Sequence, residues 1–193
     1  MQDIKKILVS RLRFIGDIIL TTPVIKVLRE TFPQAHIAYL AESPYISLLK
    51  NNPHLDELIG FDRLSLKNLR DQVRFLTELR QRRFDLAIDL LGNPRSALQI
   101  WATGARYRVG GDFRGRKYFY NIRVRQDRPG LSAIEFHLQS LKYLGIDYDL
   151  RNLQTEVFTT PEEDRWAENY LIAKGIDLQK PLVGIHPGGT WPA

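Results

Sequence analysis

Ile7-Leu8-Val9-Ser10-Arg11-Leu12-Arg13-Phe14-Ile15-Gly16-Asp17-Ile18-Ile19-Leu20-Thr21-Thr22-Pro23 reads as a buried strand, a tight turn and the first turns of a helix. The apolar run Ile7 to Val9 has the character of a central parallel strand, covered on both faces. Gly16 permits a close backbone turn, and Asp17 falls at the N-terminal end of the following helix. In an open α/β sheet, ligands bind at such turns, beside the carboxyl ends of the strands. The usual occupant is a phosphate held by free backbone N–H groups under a glycine fingerprint. Neither G-x-G-x-x-G nor G-x-x-x-x-G-K-[ST] is present, and a carboxylate directly after the glycine would repel a pyrophosphate. This turn is therefore not read as a nucleotide site. The residues alone leave Asp17 two roles, a helix cap worth about 0.5–2 kcal/mol or a catalytic carboxylate.

Outward from that stretch, strand and helix patterns alternate. Residues 4–10 form the first strand, and the helix after it extends to about Glu30. Pro23 either starts the regular part of that helix, with Thr22 as cap, or kinks it. His36 to Leu40 reads as a second strand, Ser43-Pro44 opens a short helix, and Glu57 to Phe61 is a third strand. Leu66, Leu69, Val73, Leu76 and Leu79 recur at helical spacing, predicting an amphipathic helix over 65–81 with a basic outer face. Phe84 to Leu91 is a strong strand, Gly92 to Ser96 the turn at its end, 95–102 a short helix and Arg106 to Val109 a fifth strand. Such alternation with short links predicts a doubly wound, mainly parallel Rossmann-like α/β sheet. Residues 110–130 break the rhythm as a long loop mixing glycine, basic and aromatic residues. A helix with Leu131, Ile134, Leu138, Leu141 and Leu144 on one face follows. Pro161 to about Lys174 is a helix with an acidic start, and Pro181 to Ile185 reads as one more buried strand.

Composition bounds the partners. The 193 residues carry a net charge of +6 and no cysteine, which excludes a disulfide framework and thiol chemistry and suits a reducing cytoplasm. No segment approaches a membrane span, so a soluble, cytoplasmic protein is expected. Arg106 to Arg128 carries eight Lys or Arg against two acidic residues, and Arg63 to Arg83 seven against two, on an otherwise acidic body. Such stretches concentrate anionic partners. Four scattered histidines give no metal-ligand spacing; His137 reads as structural, His36 as strand surface and His186 as a backbone-facing loop residue. Asp89 at a strand end and Asn93 in the next turn could line a cleft.

The spacing of Arg11, Ile15, Gly16, Asp17, Thr21, Thr22, Pro23 and Leu28 resembles the opening motif of glycosyltransferase family 9. That family holds the ADP-heptose:lipopolysaccharide heptosyltransferases, inverting enzymes of the two-domain GT-B fold. The resemblance extends in strand order along the chain, through the Arg108/Gly110 pair to the final loop. It implies that residues 1–155 form the N-terminal, acceptor-side Rossmann-like domain of a GT-B glycosyltransferase. Residues 156–193 would then be the interdomain helix and first strand of a truncated donor-binding domain. Asp17 becomes the general base, and Gly188, Gly189 and Thr190 the donor-binding loop, whose N–H groups could hold phosphate oxygens. Gly16, Asn93, Arg114, Arg116 and Lys117 are the acceptor-side candidates.

The implied reaction moves a heptose from ADP-heptose onto an acidic, lipid-linked lipopolysaccharide inner-core acceptor. Neither a metal nor a further cofactor is expected, and peripheral contact with the anionic inner-membrane surface is consistent with the charge. Because a GT-B site forms between two domains, the fragment alone is expected to be inactive. The competing reading is a non-catalytic, basic Rossmann-like domain that binds nucleic acid or sugar. Aromatic residues interleaved with Arg over 106–123 suit single strands, but no helix-turn-helix, RRM or KH signature accompanies them.

Overall fold

The computed structural model describes residues 3–125 and 130–185. The chain divides into two compact units, Met1–Phe158 and Thr159–Ala193. The first unit runs β1 (Lys6–Ser10), α1 (Ile15–Ile19), α2 (Thr22–Thr31), β2 (His36–Glu42), α3 (Ser43–Ile46) and β3 (Glu57–Phe61). It continues through α4 (Leu69–Gln81), β4 (Leu86–Asp89), α5 (Pro94–Ala102), β5 (Tyr107–Gly111), β6 (Ile122–Val124) and α6 (Ala133–Lys142). The six strands form one sheet in the order β3-β2-β1-β4-β5-β6, and every pairing is parallel. The predicted Rossmann-like architecture is thus observed. Strand order reverses between β1 and β4, so their carboxyl ends flank a topological switch point, the usual ligand crevice of such sheets.

Alternation along β1 sorts the core into two layers. Ile7 and Val9 pack with Val24 and Leu28 of α2 and with Leu138 and Leu141 of α6. Leu8 and Leu12 pack on the other face with Leu79 of α4 and Ala97 and Ile100 of α5. All eleven side chains are buried, as a central parallel strand requires.

Several expected boundaries move for identifiable reasons. The helix after β1 is two helices, α1 and α2, with Thr21 at the N-cap position and Pro23 in the first turn of α2. Pro23 has no N–H to offer the carbonyl of Ile19, and the Thr22 hydroxyl donates to that carbonyl instead, at 2.8 Å. Proline therefore starts the second helix, and Thr21, not Thr22, is its cap residue.

The predicted stripe of α4 is also out of register. Asn68 caps the helix by accepting from the Asp71 N–H, so Leu66 precedes it. Leu79 and, partly, Phe75 face the core, while Leu69 and Val73 are 76% and 53% exposed.

Residues 110–130 are not a single loop. Gly110 and Gly111 extend β5, and Ile122–Val124 pairs with Val109–Gly111 as an edge strand. Three residues around Arg123 carry no readable period, and its charge suits an edge. Two buried contacts pin the intervening segment. A Cβ on Gly110 would lie 2.5 Å from the Tyr120 ring, so glycine is what lets that ring lie against β5. The Tyr120 hydroxyl donates to Asp89 Oδ2 at 2.6 Å. Asp89 Oδ1 accepts from the N–H groups of Leu91 and Gly92, both at 2.9 Å. Asp89 is thus a buried staple of the β4 turn, and burial pushes its carboxyl above the usual range.

In the second unit α7 (Pro161–Ala173) begins with a capping box between Thr160 and Glu163 and three acidic residues in its first turn. Pro181–Ile185, expected as a buried strand, is extended neither as strand nor as bridge and is exposed. An apolar run becomes a strand only beside a partner that takes its hydrogen bonds.

Tyr120→Phe should cost about 1–3 kcal/mol in urea unfolding, because it strips a donor from a buried carboxylate. Gly110→Ala should cost a similar amount, about 1–3 kcal/mol, by forcing a methyl group into the Tyr120 ring.

Candidate functional site

β1 delivers Arg11 to the switch point. Its backbone N–H donates to Leu40 O on the β2 side, and the Leu90 N–H donates to Ser10 O on the β4 side. The side chain then turns across the crevice. Nη1 donates to Leu90 O at 3.0 Å, and Nη2 lies 2.9 Å from Asp17 Oδ1. The side chain of Arg11 is 12% exposed and that of Asp17 35%, so the carboxylate looks outward from a mostly buried guanidinium.

Asp17 is the third residue of α1, whose N-cap position is Phe14; no side chain caps this helix. The cap role therefore falls away, and the carboxylate is committed to Arg11. Phe14 has φ 67° and ψ 122°, a conformation that costs an L-residue of order 1–3 kcal/mol and clusters at functional sites. Phe14 and Ile15 are both exposed on this turn. Gly16 is exposed, its φ is not positive, and a Cβ built on it meets nothing within 4 Å. No internal contact explains a glycine there.

Beneath α1 lies a buried polar layer. The Thr21 hydroxyl donates to Ile18 O and accepts from the Tyr39 hydroxyl, both at 2.7 Å. Burial pushes the Tyr39 phenol far upward, with Arg11 and Asp17 close enough to perturb it in opposite senses. His137 of α6 is 4% exposed. Burial, and then the Arg11 charge, push its imidazole down to about 4, against the opposing pull of Asp17. It is neutral at pH 7.

The loops after β4 and β5 share this edge of the sheet. Asn93 accepts from the Ser96 N–H at 2.8 Å and caps α5, so its side-chain oxygen is spent on the helix. Arg116 stacks over the Phe113 ring at 4.8 Å, Lys117 Nζ lies 3.8 Å from Asp112 Oδ1, and Arg114 is exposed. The structure brings together Gly16 and Asp17 at one turn and Arg114, Arg116 and Lys117 on another. Gly188, Gly189, Thr190 and His186 lie outside the described residues. Sequence reasoning missed the pairing role of Arg11, the Thr21–Tyr39 link and the setting of His137. Strand alternation held a signal for the first, since Arg11 shares the parity of Ile7 and Val9 and so turns toward α2 and α6. Among the described residues no cluster of His, Asp or Glu could hold a metal ion.

Residues 72–193 match the model of glycosyltransferase family 9 (heptosyltransferase). The chain belongs to glycosyltransferase family 9. Asp17 and its motif lie N-terminal to the matched segment. The chain is 30% identical over 145 residues to Escherichia coli lipopolysaccharide heptosyltransferase 3, covering 70% of this chain and 42% of that protein. Against the K12 protein of the same name it is 27% identical over 182 residues, covering 91% and 52%. It thus spans about half the length of these relatives. The crystal structure of a family 9 glycosyltransferase from Veillonella parvula superimposes with a TM-score of 0.84 at 26% identity, over 98% of this chain and 55% of that one. Escherichia coli heptosyltransferase WaaC with ADP shares the fold, at TM-score 0.65 and 18% identity over 89% of this chain and 64% of that one.

The histidine gives a pH prediction. Its folded value of about 4 lies below the ordinary 6.5, so between these values the unfolded chain binds more protons. Stability is full above about pH 6.5 and falls as pH drops toward 4. His137→Gln should remove about 1–3 kcal/mol of that loss, read as the difference in urea unfolding between pH 7.5 and pH 4.5.

Proposed function

We propose that this chain is the acceptor-side part of an inverting heptosyltransferase, with Asp17 as general base. The observation that carries the reading is Asp17 at the switch point, ion-paired on one oxygen and partly exposed, beside a glycine with open space above it. An acceptor hydroxyl approaching over Gly16 would give its proton to Asp17 as its oxygen bonds to the anomeric carbon of the sugar. The bond from that carbon to the diphosphate oxygen breaks, and ADP leaves with the electron pair. Attack opposite the leaving group inverts the anomeric centre. Base assistance of this kind typically contributes about 10²–10⁴ in rate.

ADP-heptose is the proposed donor, on the strength of the family and of a relative solved with ADP. The relatives' lipopolysaccharide names support a lipid-linked, acidic oligosaccharide acceptor. Arg114, Arg116 and Lys117 supply the positive charge on the acceptor side. Residues 1–155 would be the acceptor domain, and residues 156–193 would lead into the donor half, with Gly188, Gly189 and Thr190 contacting the diphosphate. No helix among the described residues is long and apolar enough to cross a membrane. The enzyme would work in the cytoplasm, touching the inner-membrane surface peripherally, and would need no metal.

The test is ADP release from ADP-heptose with an inner-core acceptor, using the full-length protein. Asp17→Asn should lose about 10²–10⁴ in turnover while keeping its circular dichroism; full activity in that variant overturns the base assignment. Gly16→Ala should be as stable as the wild type, or more stable by up to about 1 kcal/mol, because alanine favours helix. Its turnover should fall at least about tenfold if the methyl group intrudes on the approaching hydroxyl.

A further inference from the structure

Eight buried side-chain polar atoms have no hydrogen-bond partner among the described residues, and two of them flank the candidate base: Arg11 Nε and His137 Nδ1. A buried polar atom without a partner is costly, and native structures rarely leave one so. These two are chemically complementary. Arg11 Nε carries a hydrogen and can only donate. A neutral imidazole presents one nitrogen as an acceptor, and His137 is neutral at physiological pH. They also share a location. Arg11 follows β1 with the parity of Ile7 and Val9, the residues that pack on α2 and α6, and the charges of both Arg11 and Asp17 act on the His137 ring of α6.

His137 has two further anchors. Its ring stands edge-on to Phe136 at 5.5 Å, and its backbone carbonyl accepts from the Ser140 hydroxyl at 2.8 Å. The ring therefore rests on a fixed turn of α6 and lines a small cavity with Asp89, Leu90 and Gly111. Leu90 is the residue whose carbonyl holds Arg11 Nη1.

We propose that His137 is a positioning residue for the base: its Nδ1 accepts, through one buried water, the hydrogen of Arg11 Nε, and so fixes the guanidinium that holds Asp17. A water suits a small polar gap between a donor and an acceptor, and such waters are structural components. Arg11 then has each of its three nitrogens engaged, Nη1 by Leu90 O, Nη2 by Asp17 and Nε by the bridged imidazole. The functional consequence rests on the heptosyltransferase reading, whereas the hydrogen bond itself does not.

The two are separated by two measurements on the full-length protein. Proton–nitrogen NMR of the Arg11 Nε–H, assigned by its absence in Arg11→Lys, reads the link without any turnover. It should be protected from solvent exchange in the wild type and in His137→Gln, whose amide oxygen can accept, and should exchange at least about tenfold faster in His137→Leu, which packs but cannot accept. Steady-state kinetics read the consequence. His137→Leu should lower kcat about ten- to a hundredfold with the donor KM unchanged, and His137→Gln should restore most of it. Unchanged Nε–H exchange in His137→Leu overturns the link whatever the enzyme transfers. Loss of protection together with wild-type kcat overturns the positioning role. Absence of heptose transfer by the wild type overturns the functional reading alone.

Discussion

Everything at the carboxyl edge of this sheet is arranged around one side chain. Arg11 sits where β1 leaves the sheet, at the point where strand order reverses, and it reaches across the gap to the backbone of the β4 turn. A guanidinium that is 12% exposed would be prohibitive without partners. The fold supplies a carbonyl from one side and a carboxylate from the other. The turn that presents the carboxylate passes through Phe14 in a backbone conformation that L-residues avoid. Ion pair and strain are thus two ends of one arrangement. Stability lost at Phe14 is offset by neutralising Arg11, and the product is a fixed, outward-facing acid group.

The glycines of this edge divide by the same logic. At Gly92, Gly110 and Gly111 an added methyl group would run into the rings of Phe113 or Tyr120 at 2.4 to 2.5 Å, so those glycines exist for the protein's own packing. They let aromatic residues of the basic segment pack closely against the ends of β4 and β5. Arg116 in turn lies on Phe113 and Lys117 near Asp112, which makes this segment an ordered shelf. At Gly16 the same construction finds empty space. A position that spends helix propensity without a steric reason inside the chain is where the proposed function puts the approaching acceptor, beside Asp17.

Much of this was legible in the residues. Buried parallel strands announce themselves as apolar runs, so Ile7–Val9 and Phe84–Leu91 are legible as strands, and the motif from Arg11 to Leu28 carries the resemblance to the family. What escaped reading was nonlocal. The edge strand Ile122–Val124 exists because β5 offers it a partner, not because its three residues alternate. The break at Leu20 goes with the Thr22 hydroxyl taking the Ile19 carbonyl that Pro23 cannot serve, and the Thr21 hydroxyl taking that of Ile18. The stripe from Leu66 failed because Asn68 starts α4 later than the spacing implied. His137 looked structural because its environment is assembled from β1, α1 and α6, which no window of sequence contains.

α1 itself explains why such a network is needed. Five residues cannot hold a helix in water, since isolated helices shorter than about 12 residues are marginal. Its one fully buried side chain is Ile18. Its orientation is set by polar ties at both ends: Asp17 to Arg11 at the first turn, and Thr21 to Tyr39 just past the last. Thr22 adds a tie to the N–H of Glu156, at 2.9 Å. A general base must be held within a fraction of an ångström to be effective. Asp17, the proposed base, is held by a short helix tied through hydrogen bonds to the sheet, and not by the helix's own stability. A substrate contacting α1 would therefore meet an element whose position reports the state of Arg11, which makes the buried guanidinium the mechanical reference for the site.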